Sequence, residues 1–580
     1  MKQEHRTQVC NVLVIGSGGA GHRAAIAAHQ QGSEVIMLGK RLRKDAHTVL
    51  AAGGINAALG SRDPEDSWQQ HFADTVKEGY FLSDPRTVEI MTREAPAAIH
   101  ELADWGCPFA RTKEGKIDQR YFGAHKYRRT CYAGDYTGRA ILYTLADKAE
   151  ELGIPMHEHQ FVSELLVKDG TCFGALAFDT NNGNRTLYLA DAVVLAAGGH
   201  TRIFRKSSSR RDENTGEGIF LALKAGCQLA DMEMVQFHPT GMVAPEEWAG
   251  TLVTEAVRGE GGQLKNSEGE RFMEKYDAER MELSTRDVVA LANYTEIMEG
   301  RGGPNEGVFL DISHKGRDFI LEKIPRMYRQ FLDSQLLDIS KEPMEVSPTA
   351  HYSMGGVIVE AENHATQIEG LYAAGEVSSG LHGGNRLGGN SLVETVVFGK
   401  RAGEAAAKYS ADLEVQLRAK SAIKAAHDDL DSMIGEGKEM ARPLQRQLRN
   451  IMWEHCGVVR DEEKMQEGLR KVRQLKEAVQ HVDVRISSEG FQDLAQALDL
   501  RASLYTAECT LLSALERKES RGAHHRSDYE NTDPELTVNF VNTLKNGKIT
   551  LEKRKVAAVP DDLQDYFEEE ELDVQGRLLE

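Results

Sequence analysis

The stretch DAHTVLAAGGINAALG, residues 45–60, sets one nucleophilic side chain, His47, among small residues and glycines. A neutral imidazole is a competent nucleophile. Around it, Ala46, Ala51, Ala52, Gly53 and Gly54 would let the backbone lie against a flat ring. Two more histidines stand in suggestive places, His238 in VQFHPTG (235–241) and His351 in AHYSMGGV (350–357). Taken singly, each could equally be a satisfied core histidine. Pro239 and Gly241 beside the first, and Gly355 and Gly356 after the second, favour site loops. LVTEAVRGEGG (252–262), STRDVV (284–289) and HGGNRLGGNSL (382–392) add Thr254, Glu255, Arg258, Arg286 and Arg386. An arginine's planar fork binds a carboxylate bidentately, so these segments suit a small acidic ligand.

Such residues need a scaffold, and residues 11–38 read as strand, glycine turn, helix, strand. Val12-Leu13-Val14-Ile15 is a short apolar run, as in a buried parallel strand. GSGGAG follows: Gly16, Ser17, Gly18, Gly19, Ala20 and Gly21. Gly16, Gly18 and Gly21 fall in G-x-G-x-x-G register. The first allows a tight turn, the second lets backbone approach a pyrophosphate, and the third packs helix on strand. The acidic residue that usually ends the second strand is replaced by Gly39 and Lys40, which speaks against NAD more than against FAD. VVLAAGGH (193–200) and GLYAAGEV (370–377) read as returning strands of the same domain, with an insertion between them. From about 412 to 516 the pattern turns to long charged helical stretches. The polar end, DDLQDYFEEEELD, reads as a solvated acidic segment.

The chain has 580 residues, 41% hydrophobic and 28% charged, with a formal net charge of −20. That charge excludes a nucleic-acid partner, which needs clustered cations, and disfavours adsorption to an anionic membrane. It leaves open a small acidic substrate. No run of about 18 apolar residues is present, so no membrane-spanning helix is expected. MKQEHRTQVCN is polar and leads straight into a strand, so no targeting segment is expected. The seven cysteines are scattered without a C-x-x-C, which suggests reduced thiols and no metal or iron–sulfur ligands.

The same motifs, with AHTVLAAGG and RKESRGAHHRSDY (517–529), run in an order that resembles the flavoprotein subunit of succinate dehydrogenase and fumarate reductase from about residue 11 to 530. The resemblance implies an α/β fold. A Rossmann-like FAD-binding domain (1–240 and 350–411) carries an inserted α+β capping domain (241–349). A helical domain (412–516) and a tail region (517–580) follow. It implies FAD bonded through its 8α carbon to His47, with further contacts from Thr48, Gly53, Gly54, Lys40, Glu217, Glu376, Asn390, Ser391 and Leu392. Glu217 stands where the family more often has aspartate, and Ala52 where relatives carry Gln or Glu. By the same resemblance Arg386 and His351 hold one carboxylate of succinate or fumarate, and His238 and Thr254 the other. Arg286 moves the proton at C3, its acidity raised by Arg258 and Arg386, and Glu255 relays it. An iron–sulfur protein subunit, with a membrane anchor and quinone reached through it, would take the electrons, which puts the chain peripherally on the cytoplasmic face of the membrane.

Three competing readings are weaker. L-aspartate oxidase shares the fold and cofactor but lacks the flavin-linking histidine. It also meets its substrate's ammonium with a glutamate where this chain has Phe122, and a phenyl ring cannot pair with a buried ammonium. A non-catalytic flavoprotein scaffold would tolerate loss of Arg286 and Arg386, and both are present. A soluble fumarate reductase with its own haem domains would carry C-x-x-C-H, which is absent.

Overall fold

In the computed structural model, which describes residues 5–485, 491–568 and 571, the apolar run Val12–Ile15 ends the strand β1 (His5–Ile15) at the middle of a seven-stranded sheet. β2 (Val35–Leu38) pairs parallel with it from Val12↔Val35 to Ile15↔Leu38, and β3 (Met156–His157) lies beyond β2. On the other side, β6 (Arg185–Leu195) is parallel to β1, and β5 (Thr171–Asp179) and β4 (Gln160–Lys168) continue antiparallel. β11 (Leu371–Ala373) adds to β6 in parallel. The two returning strands read from the sequence are thus both in this sheet. Their late position in the chain makes them the sheet's long-range closure.

The helix α1 (Gly19–Gln30) joins β1 to β2 and packs against α5 (Asn390–Asp412). The two backbones come very close. A Cβ at Gly403 would lie 2.2 Å from the Ala24 carbonyl oxygen, and one at Gly399 2.6 Å from that of Ala20. Glycines at these two positions of α5 are therefore a packing requirement, and both helices start at one cleft.

A four-stranded antiparallel sheet stands over that cleft. Its order is β7 (Val235–Met242), β10 (Met344–Ser353), β9 (Val308–Asp311) and β8 (Gln263–Lys265). It has its own core, with Met242, Val257, Leu264, Phe272, Phe331 and Val346, and α4 (Arg286–Glu296) packs on it. β7 and β10 run across positions 240 and 349, so the divisions drawn there from the sequence fall inside this sheet. The helices α6 (Lys420–Ser432), α7 (Ala441–Cys456), α8 (Glu462–Ala478) and α9 (Gln492–Glu516) form the helical region, with Leu444, Leu448, Leu498 and Leu511 in a core shared with Phe161 and Phe178 of the main sheet. All seven cysteines are free and buried. Among the described residues no helix is long and apolar enough to cross a membrane.

The segment after 517 departs from the expected solvated tail. β12 (Val538–Lys545) and β13 (Lys548–Lys555) form a hairpin, and a short turn at Asp561–Tyr566 follows. Val559, Leu563 and Phe567 are buried in the main core. The Phe567 ring lies 6.3 Å from that of Phe72, on α2 (Trp68–Glu78), and 5.8 Å from that of Phe81. The acidic residues of DDLQDYFEEEELD mask this apolar spacing of four. Residues 569, 570 and those after 571 lie outside the described residues. Phe567→Ala should lower stability by about 3 kcal/mol, the cost of a large ring lost from a core. Thermal melting with FAD bound should show the midpoint several degrees lower; an unchanged midpoint would mean the segment is only laid on the surface.

Candidate active site

The cleft runs from the glycine turn, beneath the antiparallel sheet, to the paired strands β7 and β10. At its first end Gly16 adopts φ +121°, and a Cβ there would lie 2.0 Å from the Ala196 carbonyl oxygen of the strand-end turn after β6. Gly21 does not face the cleft. A Cβ there would lie 2.0 Å from the Gly16 carbonyl oxygen, so only glycine lets α1 pack this closely on the turn, as the sequence reading expects. Ser17, Gly18, Gly19 and Ala20 line the cleft. α1 begins at Gly18 and α5 at Gly389. Neither start has a side-chain cap or an acidic residue in its first turn. Two helix N-termini without acidic first turns thus border one cleft, and their dipoles and first-turn N–H groups, of which Gly19 N–H is taken by Thr48 Oγ1, suit the pyrophosphate of a dinucleotide.

Lys40 is held by Glu217 at 2.6 Å and by Asp499, on α9, at 3.5 Å. Thr215 donates to both carboxylates. The longer Glu217 is thereby used, in a contact that joins the main sheet to the helical region. Glu376 accepts the Ser353 N–H at 3.0 Å and the Asn214 amide at 3.3 Å. Burial raises its pKa even though His47 opposes that shift. Gly53 and Gly54 lie against Phe122 and the Cys131 carbonyl. A Cβ on Gly53 would be 2.4 Å from the phenyl ring.

His47 opens a short turn at the cleft wall, with Nδ1 3.6 Å from Glu213 Oε2. Neither atom has a hydrogen-bond partner. Burial favours the neutral ring, but the Glu213 and Glu376 carboxylates outweigh it and raise the histidine's pKa above its ordinary value. The neutral ring sought from the sequence is therefore favoured only at higher pH. Thr48 accepts the Gly19 N–H at 3.1 Å. Asn390 could meet the cofactor only through its backbone at the start of α5. It is fully buried, and its side chain faces away from the cleft, bonded to Asn56 at 2.7 Å, His71 at 2.9 Å and Thr75 at 3.0 Å. Ser391 and Leu392 do line the cleft.

At the far end the antiparallel register brings the two motif histidines together. Gln236 pairs with Tyr352 and Phe237 with Ala350, so His351 is the extra residue of a β-bulge. A bulge re-aims a side chain, and here the His351 ring comes to 5.3 Å from that of His238. His351 Nδ1 is 2.8 Å from Ser208 Oγ, and His238 Nδ1 is 3.2 Å from both the N–H and the carbonyl of Thr240. Burial, then neighbouring cations for His238, and His238 with Arg386 for His351, hold both rings well below the ordinary imidazole pKa. Both are neutral at pH 7. Thr254, nearly buried, lines the same end.

Three arginines complete it. Arg286, the first residue of α4, places Nε and Nη2 each 2.9 Å from Glu255 Oε2. Arg258 reaches that oxygen at 3.7 Å from behind, outside the cleft lining. Arg386 stacks over the Tyr352 ring at 4.4 Å and donates to Ser391 Oγ at 3.0 Å. Burial and then Arg286 lower its pKa to about 10. Burial alone would raise Glu255. The Arg286 and Arg258 cations and the Gly123 N–H instead take it to about 2. It is an anion in this state, and protonating it would uncover the two guanidinium groups it pairs with. A relay through Glu255 therefore needs the negative charge of a bound substrate nearby to raise it.

Sequence reasoning missed Glu213, Asp499 and Gln236. Gln236 is fully buried and accepts from both Arg286, at 3.2 Å, and Arg386, at 2.9 Å. Its place two residues before His238 is the only local signal.

The glycine turn, the two helix starts and the cleft between them define a FAD-dependent oxidoreductase. Residues 11–392 match the FAD binding domain family and residues 445–564 the fumarate reductase flavoprotein C-terminal family. The chain belongs to the family of succinate dehydrogenase and fumarate reductase flavoprotein subunits. It is 45% identical to a fumarate reductase (CoM/CoB) chain of Methanothermobacter marburgensis, over 91% of this chain and 95% of that one. It is 37% identical to the succinate dehydrogenase flavoprotein subunit of Rickettsia conorii, over 94% and 95%. The solved Mycobacterium smegmatis Sdh1 in complex with UQ1 superposes with a TM-score of 0.90, at 40% identity and 98% coverage of each chain.

Proposed function

We propose that this chain is the catalytic subunit of a succinate:quinone or fumarate:quinol oxidoreductase, and that it interconverts succinate and fumarate. The observation that carries the reading is the charge at the far end of the cleft. Three guanidinium groups gather there with one carboxylate, Glu255, which pairs with Arg286 and Arg258 but not with Arg386, and the two histidines are neutral, which leaves an excess of two positive charges for a ligand with two carboxylates.

Arg386 and His351 take one carboxylate, and His238 with Thr254 the other. Bound FAD supplies the hydride acceptor or donor at substrate C2. Arg286 moves the proton at C3, with Arg258 and Arg386 as neighbouring cations and Glu255 as its partner toward solvent. Phe122 gives no anion to an α-ammonium, so L-aspartate is disfavoured. Electrons leave through an iron–sulfur protein to a membrane anchor, which places the chain on the cytoplasmic face. A second electron partner is favoured by one observation, the relative named for CoM/CoB. Assaying the assembled complex with a quinol and with CoM and CoB separates the two. Succinate oxidation and fumarate reduction by the isolated chain with artificial electron carriers test the reaction itself.

His47 carries the covalent bond to FAD. The denatured wild-type chain should keep yellow fluorescence on a gel, and His47→Ser should release its flavin while still binding it when folded. Attachment needs the neutral ring, so it should quicken as pH rises through the raised histidine pKa. Release of flavin from acid-precipitated wild type would remove this assignment. Arg286→Gln should bind malonate within about tenfold of wild type, roughly 1.4 kcal/mol, and be nearly inactive in both directions. A proton donor acts only in the transition state, whereas a clamp also binds the ground state. Substantial turnover at saturating substrate would give the proton role to another residue.

A further inference from the structure

Gln236 stands between the two arginines that face the cleft. A guanidinium can only donate, so the two contacts fix which end of the amide is oxygen. Oε1 accepts from Arg286 Nη1 at 3.2 Å and from Arg386 Nη2 at 2.9 Å. Nε2 donates to Asn385 Oδ1 at 2.8 Å and to the Arg386 carbonyl at 2.9 Å. Asn385 in turn donates to Glu78 Oε1 at 2.7 Å and to Asp287 Oδ1 at 3.2 Å. Every donor and acceptor in this chain beyond Arg286 is buried. Burial and then the neighbouring Asp287 raise the Glu78 carboxyl well above its usual range.

Two like charges are therefore held side by side by one neutral oxygen. In a site so largely buried their repulsion is large, and among the described residues Gln236 is the group seen bonded to both. Arg286 is otherwise tied to Glu255, and Arg386 to Ser391 and the Tyr352 ring. Resting on the dicarboxylate reading above, we propose that Gln236 is the positioning residue that sets Arg286 and Arg386 at the separation a dicarboxylate needs. Asn385, Glu78 and Asp287 hold its amide in the one orientation that works. Glutamine suits the task better than its neighbours in size. A glutamate would bridge the arginines but cancel half of the excess positive charge. An asparagine is one methylene too short to reach both.

The test uses the FAD-loaded full chain and its Gln236→Leu, Gln236→Glu and Gln236→Asn variants. Turnover is read with artificial electron carriers, and malonate binding from the flavin absorbance. Gln236→Leu should keep FAD but lose kcat by about thirtyfold or more and malonate affinity by about tenfold, as for a lost charge-assisted hydrogen bond. Gln236→Glu should recover kcat to within about tenfold of wild type while KM for succinate rises by about tenfold. A residue that merely fills the core would give the reverse order, with the buried charge the worse variant. Gln236→Leu within about threefold of wild type, or Gln236→Glu as inactive as Gln236→Leu with FAD bound, would overturn the proposal. If the leucine variant fails to load FAD, Gln236→Asn decides. An approximately tenfold loss of kcat supports the bridge and wild-type turnover refutes it. Wild type inactive on both succinate and fumarate would instead remove the dicarboxylate reading.

Discussion

Holding the buried Arg258 and Arg386 and the half-buried Arg286 around one cleft is the constraint that orders the rest of this site. Isolated buried charge is expensive, so each guanidinium needs partners that satisfy it without neutralising the whole set. Glu255 serves Arg286 and Arg258, and the Tyr352 ring and Ser391 serve Arg386. Those partners come from different elements. β7 and β10 bring the histidines, the start of α4 brings Arg286, and the loop before α5 brings Arg386. The Arg386 loop is itself propped by the C-terminal motif RGAHHRSDY, where Gly522, at φ +56°, lets the backbone approach Gly384. With the histidines neutral, the surplus of positive charge stays available to a dianion.

The cofactor end obeys a different rule. Glycines and small residues bring backbones together, and the N–H groups of two helix starts supply the anion site in place of cations. Lys40, a cation at that end, is already spent on Glu217 and Asp499. One long cleft thus has a backbone-built end for FAD and a side-chain-built end for the dicarboxylate. α5 belongs to both, since its N-terminus adjoins the Arg386 loop.

Much of this was legible from residue types alone. Glycines in G-x-G-x-x-G register have few other uses, whereas His238 and His351, taken singly, could equally have been core residues and were singled out by the resemblance. They stand on β7 and β10 rather than in the loops that their Gly and Pro neighbours suggested. Partners were not legible. Asp499 reaches Lys40 across 459 positions, and Gln236 reaches Arg386 across 150. Such pairings depend on how the helical region and the antiparallel sheet close over the main sheet. Nor was it legible that the Asn390 amide completes a buried network with His71 and Asn56 while its neighbours Ser391 and Leu392 line the cleft. The end of the chain misled because its charge hid Val559, Leu563 and Phe567, one helical turn apart.

The central claim is that a cleft with two surplus positive charges beside FAD takes a dicarboxylate for hydride exchange. An anaerobic single-turnover measurement tests it most directly. Succinate added to the oxidised, FAD-loaded chain should bleach the flavin absorbance, and fumarate added afterwards should restore it. L-aspartate at the same concentration should leave the spectrum unchanged. Bleaching by L-aspartate as fast as by succinate, or no response to either succinate or fumarate, would contradict the account.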